Sequence, residues 1–165
     1  MSTKTARPEH VAAAMRVIEN STDAEQLKRL MESAQAMGVT AVYDAAFAKR
    51  LSLLPDEAPG TVAHDLWKSI YALEQLRSEE AGKTVRLSRT RQKLNRVGVM
   101  KLLEDFAMHK SSTDGFDILI EHSLPELTGG AIVLRHKQHF SDIVVNAARA
   151  RLENVGVNVD ELPKA

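Results

Sequence analysis

Cysteine is absent from all 165 residues. Disulfides, thiolate metal centres and thiol nucleophiles are therefore excluded, and a reducing cytoplasm is the compartment the sequence suggests. Aromatic residues make up only 4% of the chain. No apolar run approaches the ~20 residues needed to cross a bilayer, so no membrane partner is expected. The opening "MSTKTARPEH" has no apolar core of signal-peptide length. Strand signals are scarce as well. No Asn-Gly or Asp-Gly turn sits between alternating apolar runs; "TDGFDILI" and "TGGAIVL" are the nearest β candidates, and neither is convincing. Catalytic signatures are missing: there is no Walker loop, no nucleophile elbow and no Ser/His/Asp order. The expectation is a cytoplasmic protein that is not an enzyme and needs no cofactor.

What is there reads as helix. Hydrophobic residues are 44% and charged residues 27%, ordinary for one folded domain of this length. Pro8-Glu9 opens a run with Val11, Ala14, Met15 and Ile18 at spacings of three and four. Thr22, with Glu25 three residues on, has the arrangement of a capping box before the stripe Leu27, Leu30, Met31 and Ala34. Gly38 suits the end of that helix. Val42, Ala46, Phe47, Leu51 and Leu54 form the next stripe, which stops at Pro55. A long helix follows from about Thr61 to Ala81, ended by Gly82. The two or three residues joining the second and third helices favour an antiparallel hairpin.

In the second half, Ser88 is the expected cap of a helix running to about Met108. Ser112 or Thr113 caps a short helix through Phe116 and Leu119. "TGGAIVLRHKQHF" reads as a buried helix of about three turns. Ser141 caps the last helix, which ends at Gly156. The fold class expected is all-α, a compact bundle of seven or eight helices. Residues 1–158 form the domain, with a helical-hairpin half at 8–82, a second half at 83–158 around a central helix 88–108, and a frayed tail at 159–165.

Charge is distributed unevenly. Lys plus Arg and Asp plus Glu both total 22, yet residues 83–101, "KTVRLSRTRQKLNRVGVMK", contain seven bases and no acid. The flanking arms carry the balancing acids. At about 100° per residue, Arg89, Lys93 and Arg96 share one helix face, with Thr90, Leu94 and Val97 to one side. Beyond Gly98 the apolar stripe moves to Val99, Leu102, Leu103 and Phe106. A straight helix cannot turn both stripes to one core, so a bend at Gly98, or cover on different sides at the two ends, is expected.

Arginine forks on one face can follow a phosphate backbone, and asparagine and glutamine can read base edges. The expected nucleic-acid-binding set is Lys83, Arg86, Arg89, Arg91, Lys93 and Arg96, with Gln92 and Asn95 between them. No aromatic lies in the stretch, which disfavours stacking on single strands and favours duplex DNA. The alternative is a helical protein-interaction module that meets an acidic partner, with an enzyme of unrecognised helical active site a more distant one, and a second copy of the chain is also admissible. Read without a function, the same run is a solvated face or a set of internal ion pairs.

A second cluster, "LRHKQHF", places His136 and His139 at i, i+3. That spacing can share a metal, but Arg135 and Lys137 oppose one and no carboxylate completes the set locally, so no metal is expected. Arg135, His136, Lys137 and His139 are expected instead to extend the basic surface. Trp67 and Tyr71 at i, i+4 are expected to pack rather than bind a ligand.

Overall fold

Pro8 stands at the first position of α1 (Pro8–Asn20), where its missing N–H costs nothing. The structure, a computed structural model, describes residues 6–164. Those residues hold nine α-helices and three short 3-10 turns, with no strand. They group into two compact units, Met1–Asp56 and Glu57–Ala165.

The first unit contains α1, α2 (Ala24–Ala36) and α3 (Thr40–Leu53). The cap of α2 is Asp23 and not the expected Thr22. The Asp23 carboxylate accepts from the N–H groups of Glu25 and Gln26, so an acid one residue later takes the role. Gly38 takes φ +70°, and the Val39 N–H closes back onto the Ala34 carbonyl at 2.8 Å, ending α2 as its glycine suggested. The short connection packs α2 against α3, and α1 packs on α3 as well. Ile18, Leu27, Met31, Ala34, Val42, Ala46, Phe47 and Leu51 are all buried.

The second unit begins with a 20-residue helix, α4 (Val62–Ala81), capped by the Thr61 hydroxyl and ended by Gly82 at φ +66°. It contacts the later helices α6 (Val99–Met108), α7 (Asp114–Glu121) and α8 (Gly129–Arg135). The last helix, α9 (Asp142–Asn154), packs on α8 and α6. Leu66, Ile70, Leu102, Leu103, Ile132, Val133, Val144 and Ala148 meet in one core. Burial of each leucine or isoleucine there contributes roughly 2 kcal/mol. Both segments with weak strand character are helical: "TDGFDILI" falls in α7 and "TGGAIVL" in α8.

Three further expectations change. The helix expected over 88–108 is two helices, α5 (Ser88–Val97) and α6, broken at Gly98 with φ +86° and ψ 171°. That backbone conformation is essentially confined to glycine. The helix expected across 128–140 ends after two turns at Arg135, and residues 137–139 form a 3-10 turn. The tail expected to fray carries structure of its own: residues 159–161 make another 3-10 turn, and Val157, Val159 and Leu162 pack against Phe116, Ala131 and Leu152. Its last residue, Ala165, lies outside the described residues.

No helix among the described residues is long and apolar enough to cross a membrane.

Candidate nucleic-acid interface

Three residues of α4 at i, i+4 and i+7 make a ridge on one side of that helix: Trp67, Tyr71 and Glu74. Trp67 and Tyr71 tilt against each other with ring centroids 5.7 Å apart. Arg91 of α5 lies on this ridge. Its guanidinium carbon is 5.0 Å from the Trp67 ring centroid and 5.7 Å from that of Tyr71. The same guanidinium forks onto Glu74, with Nε donating to Oε1 at 2.7 Å and Nη2 to Oε2 at 2.8 Å. Glu74 Oε1 also accepts from the Leu87 N–H at 3.0 Å, satisfying a donor just ahead of α5.

Burial alone would raise the Glu74 carboxyl, but the bonds from Arg91 and the Leu87 N–H outweigh it and hold it below its ordinary value. Arg91 is driven the other way, its charge favoured first by the Glu74 bond. Arg91 therefore serves as an anchor holding α5 on α4, and it is taken out of the expected contact surface.

The segment ahead of α5 is tied down as well. The Ser78 hydroxyl donates to the Glu74 carbonyl at 2.6 Å and accepts from the Val85 N–H at 2.8 Å. Residues 83–87 are thereby laced to the last turns of α4. Ser88 is the first residue of α5, and no side chain caps that end. The cap expected from Ser88 is absent because Ser88 lies inside the first turn and the N-cap position falls to Leu87, whose side chain has no acceptor.

The remaining bases divide into two sets. Lys93 and Lys101 share one carboxylate, Asp105 on α6, at 2.9 and 3.1 Å. Asp105 is held below its ordinary value first by its hydrogen bond from Lys93 and then by that from Lys101. Lys83, Arg86, Arg89 and Arg96 are exposed and make no ion pair among the described residues. Gln92 and Asn95 are exposed too. On α5, Arg89, Gln92, Asn95 and Arg96 span an arc of about 120°, while Thr90, Leu94 and Val97 face away from it. Leu94 is buried in the core, which fixes the rotation of the helix. The seven bases of the stretch thus meet two carboxylates, and the excess charge lies on one side of α5 and the segment before it.

The second expected patch is divided. His136 is only 3% exposed, and its Nε2 lies 2.7 Å from Asp65 Oδ2. Arg135 Nη1 reaches the same oxygen at 3.0 Å, and its other nitrogens donate to the carbonyls of Glu126 and Pro163. Burial would raise the Asp65 carboxyl, but the bonds from His136 and Arg135 prevail and lower it. Only Lys137 and His139 remain exposed. With α8 ending at Arg135, the two histidines no longer share a helix face. Among the described residues no group of three or more metal-ligating side chains occurs.

Sequence reading missed the Glu74–Arg91 pair and the Asp65 cluster. The ridge at 67, 71 and 74, facing a basic segment, was the one available signal for the first. Asp65 and His136 are 71 residues apart, and nothing local joins them. No family model matches the chain, and no curated protein and no solved structure matches it at a significant level.

Proposed function

We propose that the protein binds duplex nucleic acid, most readily DNA, through the outward face of α5 and the segment preceding it. One observation carries this reading: Arg89, Gln92, Asn95 and Arg96 are all exposed along a helix that bears no acid, with Lys83 and Arg86 exposed just before it. The other bases of the stretch are spent on Glu74 and Asp105, so the exposed ones are those left to meet phosphates. A ten-residue helix is about 15 Å long, which suits a groove or one stretch of backbone. Arg89 and Arg96 would take phosphates, and Gln92 and Asn95 between them could reach base edges.

The test is fluorescence anisotropy with a labelled mixed-sequence duplex over a range of salt. Four phosphate contacts predict a log–log slope of about −3.6, and so a loss of about a hundredfold between ~50 and ~200 mM salt. The double charge reversal R89E/R96E should reduce the slope to about −2 and weaken binding by more than about tenfold at low salt. Absence of binding at low salt, or a double variant that binds as well as the parent, would refute the proposal.

A further inference from the structure

Beneath α5, within the second unit, lies a cavity of about 130 Å³. Leu73, Phe106 and Phe116 give it mostly apolar walls. Two guanidinium side chains, Arg77 and Arg151, also line it, while no aspartate or glutamate does. Arg151 is already engaged, donating to the backbone carbonyls of Ser111 and His109. Arg77 differs. It forms no ion pair among the described residues, so its charge stands uncompensated on the lining.

A cation on a mostly apolar lining is a group that folded proteins rarely leave unmatched. The lining hydroxyls of Thr113 and Thr128 serve as helix caps, and neither bonds to Arg77. The wall beside Arg77 is also close-fitting. A Cβ added at Gly115 would come within 3.1 Å of Leu73 Cδ1. The hollow therefore combines an apolar body, an unspent charged donor and no competing acid.

We propose that this cavity binds a small monocarboxylate whose apolar part is a single ring or a short chain, with the carboxylate on Arg77. The size fits, because an apolar cavity of ~150 Å³ accommodates one benzene molecule. The carboxylate follows from the planar fork of the guanidinium and from the absence of any neutralising acid on the lining. A polyanion such as inorganic phosphate would meet the same charge but gain nothing from the leucine and phenylalanine walls. This site is independent of the outward face of α5.

The test is titration of the full ¹⁵N-labelled chain with sodium benzoate, followed by amide NMR, with benzamide as the neutral isostere. Benzoate should shift the amides of Ser69, Leu73, Gly115 and Thr128 and their neighbours. Benzamide should bind at least about tenfold more weakly, as should benzoate to Arg77→Gln, the cost of losing a hydrogen bond to a charged group. No shifts up to about 10 mM benzoate, a range that captures weak millimolar binding, would overturn the proposal. So would shifts confined to other residues, or benzamide binding equal to benzoate. If Arg77→Gln does not fold, the benzoate-to-benzamide ratio on the native chain decides alone.

Discussion

Replacing Glu74 with glutamine should loosen α5 from α4 and lower the stability of the second unit by about 2–3 kcal/mol. The figure follows from what the carboxylate does. It accepts three hydrogen bonds, two from Arg91 at 2.7 and 2.8 Å and one from the Leu87 N–H at 3.0 Å. Glutamine keeps one acceptor oxygen but turns an NH₂ group toward a guanidinium. Removing one partner of a fully buried pair costs about 3–5 kcal/mol. Here the Arg91 side chain is 21% exposed and that of Glu74 13%, so water relieves part of the loss.

The assay is urea unfolding followed by Trp67 fluorescence. Trp67 is the single tryptophan of the chain, and it lies directly against Arg91. The pH dependence supplies a second check. Because the folded Glu74 carboxyl is depressed, its contribution is complete above its ordinary value of 4.5 and fades as pH falls through the folded value. The gap between native protein and Glu74→Gln should therefore be constant at neutral pH and narrow below about pH 4.5. A loss under about 0.5 kcal/mol, typical of an ordinary surface change, would refute the anchoring role. A gap that stays constant down to pH 3 would do the same.

Three further outcomes are expected. Gly98→Ala should cost about 1–3 kcal/mol in the same urea assay, purely from backbone strain, since an added Cβ there meets nothing within 4 Å. Asp65→Ala strands Arg135 and His136 together in a buried site and should cost about 3 kcal/mol or more; a loss below 1 would show that the cluster is dispensable. Ser78→Ala should cost about 1 kcal/mol and speed amide exchange at Val85, whose N–H loses its acceptor, while amides in the middle of α4 stay protected.

Reading the chain residue by residue reached the helices more surely than their ends. Stripes such as Leu27, Met31 and Ala34, or Val42, Ala46 and Leu51, follow from local periodicity and are buried as that periodicity requires. Ends depend on which of several neighbouring polar groups wins the first amides, and so the cap moved from Thr22 to Asp23. Gly98 marked a change of apolar arc, but its positive φ makes it a break between two helices. The candidate face was visible as a concentration of charge. Its division into anchored and exposed bases was not, because that depends on Glu74 and Asp105 in other helices. His136 was misplaced for a related reason. Its surface placement assumed a helix continuing through residue 140, whereas α8 stops at Arg135 and turns the ring inward onto Asp65.

The seat of Arg91 constrains how this sequence can diverge. Lysine and arginine are near-equivalents wherever a lone charge faces water, so positions 83, 86, 89 and 96 can interchange them at little cost to the fold. Position 91 cannot. A lysine ammonium offers no planar face for two aromatic rings and no fork for two carboxylate oxygens at once. Diverged copies of this chain should therefore vary freely between the two bases on the outward face while retaining arginine at 91. Tryptophan, tyrosine and glutamate at 67, 71 and 74 should change, if at all, together with it.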